Sequence, residues 1–232
     1  MSYGRLLLKT RAAVTDSFNR VYGEPDDPFY YGLKPSEELE NFLNETHPSG
    51  GRALDLGCGE GRNSLLLARY GYHVHAVDVS SQGIEKLKKY ALSQDSDSID
   101  GEVADVRKIQ LASQFYDAIV AVTILDHITE EEGKAVAQAM IDSLKPDGFM
   151  FIEAFTIHDP AANTSWNEDE TISETATFVQ HFFDEGELAA WFSTLKTFQY
   201  EEIMKYDDSH GEPHYHGLAR LIGRKRKTKW IN

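Results

Sequence analysis

Hydrophobic and polar positions along the chain change period in a regular order. Ala53 to Leu56 is a short apolar run, and Leu65, Leu66, Leu67 and Ala68 follow as the packed side of a helix. Gly71 to Asp78 is a second strand ending in an acid, and Ile84, Leu87 and Ala91 lie at helical spacing after a cap at Ser80 or Ser81. The polar stretch Ser93–Asp100 reads as a loop before a short third strand, Glu102–Asp105. Phe115 to Thr123 is almost continuously apolar apart from Asp117, as expected of a parallel strand covered on both faces. Thr129 with Glu132 forms a capping box opening a helix through Leu144, which Lys145–Gly148 stops before a fifth strand at Phe149–Ala154.

Three further features frame this core. Before it, Val14, Phe18 and Tyr22 mark a helix over Ala12–Tyr22, and Ser36 caps a second helix carrying Leu39, Phe42 and Leu43 to about Asn44. After it, residues 155–180 are polar around Trp166 and lack a period, the signature of a functional or disordered loop. Asp184 and Glu187 then cap a helix with Leu188, Trp191 and Phe192, and the strands Phe198–Lys205 and Leu218–Arg224 are joined by Tyr206–Gly217. Strand–helix alternation of this kind predicts an α/β fold with a doubly wound, mostly parallel sheet of seven strands.

The turn between the first strand and first core helix is Gly57-Cys58-Gly59-Glu60-Gly61. Glycines at alternate positions let backbone N–H groups approach a ligand, and the helix start beyond them adds unpaired N–H groups. Asp55 places a carboxylate beside this anion-attracting turn, so a ligand with both charges, such as an amino acid head group, fits better than a pyrophosphate. A dinucleotide fingerprint needs a small residue where Arg62 stands, and so fails. Asp78 follows Gly57 by 21 residues, the spacing at which an acid meets a ribose.

Asp55 through Asp78, with Gly61-Arg62-Asn63-Ser64 and Gly71-Tyr72 between, resembles the cofactor half of class I S-adenosylmethionine (SAM)-dependent methyltransferases, and within them the small tellurite-resistance-type enzymes. The resemblance runs from about Leu33 to Arg224. It implies a Rossmann-like sheet whose last strand is antiparallel. It also implies an N-terminal helical arm or lid over residues 1–45, and a SAM-binding domain over 46–232 with a lid insertion at about 155–182. SAM is the implied cofactor. Asp55 would support its ammonium, Gly57, Gly59 and Gly61 would lie along it, Asp78 would hold the ribose hydroxyls, and Val79 would also border the cofactor. Asp105 and Val106 would meet the adenine, with Val122 also at the cofactor and Tyr31 folding over from the arm. The aromatic rings of Tyr30 and Tyr31 could exclude water and attract the sulfonium, or simply anchor the arm.

With 38 acidic residues against 23 Lys and Arg, the net charge of −15 disfavours nucleic acid and anionic membrane surfaces as partners, despite the basic run at Arg224–Lys229. No stretch reaches the roughly 20 apolar residues of a membrane span, and Leu6-Leu7-Leu8 is too short for a signal peptide. The single cysteine, Cys58, precludes a disulfide within the chain and reads as a small packing residue. A cytoplasmic protein acting on a small molecule is expected, in an oligomeric state the sequence leaves open.

Methyl transfer from a sulfonium needs alignment more than covalent help. A thiolate or chalcogen oxyanion (tellurite, selenite) needs no base, whereas a hydroxyl acceptor does. His127, beside Asp126 after the fourth strand, and His158, after the fifth, follow carboxyl ends of parallel strands, where sites form on such sheets. His210, His214 and His216 look metal-like, yet match no closed zinc spacing, and a hairpin cannot point all three inward unless it bends. The expectation is therefore no metal, with His214 binding an anion or moving a proton at the pocket. Thr123-Ile124-Leu125-Asp126 lacks the Asp/Asn-Pro-Pro-aromatic signature of nucleobase and amide N-methylation. An O- or N-methyltransferase of another small metabolite, and a non-catalytic SAM-binding regulator, remain the alternatives.

Overall fold

The computed structural model describes residues 11–162 and 178–227. Leu6–Leu8, Trp166, most of the expected lid insertion and the tail from Thr228 lie outside them. The elements are α1 (Arg11–Tyr22), α2 (Glu37–Thr46), β1 (Gly51–Leu56), α3 (Arg62–Arg69), β2 (Tyr72–Asp78), α4 (Ser81–Ser93), β3 (Ile99–Val103) and β4 (Tyr116–Val122). A single 3₁₀ turn at Leu125–His127 leads to α5 (Glu130–Ser143), β5 (Leu144–Phe155), α6 (Glu187–Trp191), β6 (Lys196–Asp207) and β7 (His214–Arg224).

The seven strands form one sheet in the order β3-β2-β1-β4-β5-β7-β6. The pairs from β3 to β5 are parallel, and β7 enters antiparallel between β5 and β6. The order reverses beside β1, so the carboxyl ends of β1 and β4 flank the crevice where ligands bind on open sheets. Both faces are covered, one by a cluster around Leu54, Ile119, Met140 and Ile152, the other by one around Leu66, Val74, Leu87 and Phe151.

Polar residues inside the strands have local causes. Asp117 accepts the Arg52 N–H (2.9 Å) and Lys145 Nζ (2.8 Å), which ties the far end of β4 to β1 and β5. Glu153, Arg220 and Glu201 stand opposite one another across β5, β7 and β6, a charged row on three neighbouring strands. With Glu38 of α2 as a third carboxylate at 3.0 Å, the buried guanidinium replaces the water it loses.

Several boundaries differ from expectation. Lys145–Gly148 does not precede β5 but bulges within it, the register jumping from Tyr116↔Leu144 to Ala118↔Phe149. β3 starts at Ile99, inside the expected loop, and β6 and β7 extend to Asp207 and back from His214. The Thr129–Glu132 capping box is present, and Ser80, not Ser81, caps α4 by accepting Gly83 N–H. Ser36 does not cap α2 through its side chain; its Oγ turns to Glu38 and its N–H to Asn63 Oδ1. Among the described residues no helix is long and apolar enough to cross a membrane.

Candidate active site

One cavity of about 340 Å³ opens at the carboxyl ends of β1, β2 and β4 and runs toward β5 and β7. Its floor is the glycine turn. Gly57, Gly59 and Gly61 have φ of +70°, +55° and +86°, a left-handed path that L side chains resist. The turn is also crowded. A Cβ on Gly59 would stand 2.8 Å from the Tyr22 hydroxyl, and one on Gly61 2.3 Å from Leu87. Gly57 and Cys58 N–H both bond Val77 O, which locks the turn to β2. No side chain caps the start of α3, so its N–H groups remain with the site. Cys58 is buried, which pushes its thiol up and leaves it inert.

Three acids border the cavity. Asp55 is 2% exposed; burial pushes its carboxyl up to about 6 although Ser64 Oγ donates to it at 2.6 Å. Asp78 accepts Gly59 N–H on one oxygen and Ser80 N–H on the other, each at 2.8 Å, and burial again raises it. A carboxylate has further lone pairs on both oxygens, so Asp78 still suits a vicinal diol. Asp105 binds Arg107, Nε at 2.7 Å and Nη2 at 2.9 Å, so an adenine amino group would share it with that guanidinium.

The cavity fits SAM by its donor set. Buried Asp55 would gain a counter-ion from an ammonium, Arg62 and the start of α3 would meet a carboxylate, and Asp78 would meet the ribose. Val79, Val106, Val122 and Tyr31 complete the wall with Gly57, Gly59 and Gly61, so the residues assigned to the cofactor all meet at one cavity.

The three expected histidines are placed differently. His127 lines the cavity, 6% exposed, with the Phe18 ring edge-on at 5.2 Å, and among the described residues its Nδ1 finds no hydrogen-bond partner. Asp126 does not reach the cavity. It is buried, and its Oδ2 accepts Phe155 N–H (2.8 Å) while its carbonyl takes Gln180 and His181 N–H, which fixes the turn that presents His127. His158 is exposed in the turn after β5 and lies off the wall. His214 sits behind His216, with their Nε2 atoms 2.9 Å apart; His210 and His216 line the cavity. Burial pushes His210 down to about 4, so its ring is neutral.

Sequence reading missed Glu60 and Lys86. Lys86 Nζ bonds Glu60 Oε1 (2.9 Å), Pro28 O (2.9 Å) and Tyr22 O, while Glu60 accepts the N–H groups of Tyr30 and Tyr31. The pair holds α1 and the Phe29–Tyr31 segment over the glycine turn. A lysine on the buried side of an amphipathic helix was the available signal.

Residues 53–148, the stretch from β1 into β5 that carries Asp55, Asp78, Asp105 and His127, match the family model described as a methyltransferase domain. The chain is 31% identical over 136 residues to a cypemycin N-terminal methyltransferase of a Streptomyces species, 56% of this chain and 51% of that one. It is 30% identical over 158 residues to a ubiquinone biosynthesis O-methyltransferase of Xylella fastidiosa, 65% and 62% respectively. The matches thus span about half to three-fifths of these curated relatives. Among solved structures, TehB from Haemophilus influenzae superposes with a TM-score of 0.68 at 22% identity, over 83% of this chain and 63% of that one. Glycine turn, acid placement and family match agree over residues 53–148, the stretch similar to a methyltransferase domain, and the fold around it is that of the superposed TehB.

Proposed function

We propose that this protein transfers the SAM methyl group to a small protic acceptor, a hydroxyl or a thiol, bound beside His127. The observation that carries this reading is the continuity of the cavity. It runs from Asp55 and Asp78, where the cofactor's charged head and ribose belong, past Phe18, Ile124 and Phe155 to the imidazoles of His127 and His216. Apolar side chains between the two ends exclude water from the reaction path and admit an organic body. His127 Nδ1 takes the acceptor's proton as the nucleophile attacks the methyl carbon and the electron pair of the breaking C–S bond returns to sulfur.

The charge of the cavity supports an organic over an inorganic acceptor. Apart from Glu60 and Glu153, which Lys86 and Arg220 neutralise, Asp55, Asp78, Asp105, Glu132 and Asp207 face it against Arg62, Arg107 and Lys205. A free chalcogen oxyanion would enter against that excess, as it would against the chain's −15 charge. The relatives are named for amine and oxygen acceptors, and a protic acceptor needing a base is consistent with the O-methyltransferase.

The test is transfer from methyl-labelled SAM to a panel of phenols, thiols, selenite and tellurite, with volatile and extractable products followed separately. Label is expected in phenols or thiols. Label confined to selenite or tellurite overturns the acceptor class, and tight SAM binding without transfer to any compound replaces the enzyme with a cofactor-binding regulator.

A further inference from the structure

Besides His127, the described residues hold three buried imidazoles, His210, His214 and His216, one ring nitrogen of each lying within 4.8 Å of the others. Their meeting is set by the hairpin. β7 starts at His214, so strand alternation puts His214 and His216 on one face. The hairpin also bends: Gly211, at φ +60°, returns the chain so that the His210 ring lies 5.0 Å from that of His214 and 6.2 Å from that of His216. The geometric objection read from the sequence is thereby removed.

The hydrogen bonds fix two of the three tautomers. His214 Nδ1 is 2.6 Å from the Glu212 carbonyl oxygen, which can only accept, so this nitrogen carries the proton. His216 Nδ1 is 3.0 Å from Asp159 Oδ2, an oxygen that also accepts the Gly217 N–H at 3.1 Å. It too is the protonated nitrogen. With Nδ1 as the N–H, each ring turns its other nitrogen, Nε2, to its neighbour, and these two atoms are 2.9 Å apart. Facing lone pairs at that distance repel unless a cation lies between them. A shared proton would satisfy the pair alone. A third imidazole at the same point, and a carboxylate on the far nitrogen of one ring, are what a metal requires.

We propose that His210, His214 and His216 bind a divalent transition metal of the zinc class, with Asp159 orienting His216 from behind. Neutral imidazoles select borderline cations over magnesium or calcium. Asp159 and Asp207, the latter 3.7 Å from His210, supply two carboxylates against the guanidinium of Arg62, the cation that acts on His210. Nitrogens on one tetrahedral zinc are about 3.3 Å apart, so the His214–His216 pair opens slightly on loading. Three protein ligands leave a fourth position, and because His210 and His216 line the cavity the metal borders it. That this position takes the acceptor's oxygen or sulfur rests on the methyl-transfer reading; the metal site itself does not.

The experiment titrates the full, chelator-stripped chain with Co²⁺ and then Zn²⁺, with SAM binding measured on the same samples as a check of folding. One equivalent of Co²⁺ with the intense visible bands of a four-coordinate site, displaced by Zn²⁺, is expected. His214→Ala and His216→Ala should each abolish the bands while SAM still binds. Asp159→Asn should keep them and weaken Zn²⁺ 10–100-fold. Absence of saturable metal binding in a chain that binds SAM overturns the site, as does binding unchanged in His214→Ala. A ring-nitrogen NMR signal of a His214–His216 shared proton that persists at saturating Zn²⁺ also overturns it. Loss of methyl transfer with metal binding intact would strike the proposed function and leave the site standing.

Discussion

Lys86 Nζ lies 2.9 Å from Glu60 Oε1, and neither side chain is more than 3% exposed. The two come from α4 and the glycine turn, 26 positions apart, and between them they bind backbone groups of Tyr22, Pro28, Tyr30 and Tyr31. The N-terminal segment is therefore held to the cofactor turn by a charge pair that water cannot replace.

Breaking one side of that pair should be severe. Lys86→Met strands the Glu60 carboxylate, at about 3–5 kcal/mol of unfolding free energy in guanidinium denaturation. Adding Glu60→Gln should recover part of it. A loss below about 1 kcal/mol in the single variant would mean the pair is solvated.

Asp55 makes stability and affinity respond oppositely to pH. Its folded pKa of about 6 lies above the unfolded value near 3.9, so the native state holds the proton more tightly. The resulting stability is fully present below about pH 4 and is lost as pH rises through 6, on the order of 2–3 kcal/mol. An ammonium ligand prefers the ionised carboxylate, so SAM affinity should rise over the same window. Calorimetric Kd values from pH 5 to 7.5 test this, and Asp55→Asn should flatten the slope.

Asp78→Ala should weaken SAM at least tenfold, about 1.4 kcal/mol, because the diol loses its two-oxygen acceptor. The same change frees Gly59 and Ser80 N–H, so thermal unfolding should be measured alongside. Unchanged Kd would place the ribose elsewhere.

His127→Ala should lower kcat by 10²–10⁴ for a hydroxyl acceptor and leave SAM affinity within about twofold. For a thiol already ionised at the assay pH the loss should shrink as pH rises. Equal losses at all pH values would make His127 a packing residue against Phe18.

The residues expected at the cofactor share one cavity, and the signals that single them out are local. Glycines at 57, 59 and 61, an acid at or near the end of each of three strands and a capping box at Thr129 each depend on neighbours within a few residues. What the sequence hid depends on strands meeting. The Glu153–Arg220–Glu201 row exists only once β7 inserts beside β5 in one register. The imidazole cluster needs that register, the bend at Gly211 and the approach of the 156–159 turn. At Gly217 this approach is so close that a Cβ would stand 2.3 Å from Asp159 N. Ser36 misled because its best partner, Asn63, comes from another helix.

Placing the last-made strand second from the sheet edge orders events during synthesis. Asp55, Asp78 and Asp105 leave the ribosome over a hundred residues before His216. A nascent chain can therefore gather its nucleoside-binding crest while the opposite wall is still untranslated. On the proposed function such a chain would have nowhere to seat an acceptor, and a methyl donor captured early would meet no partner until β7 slides in beside β5.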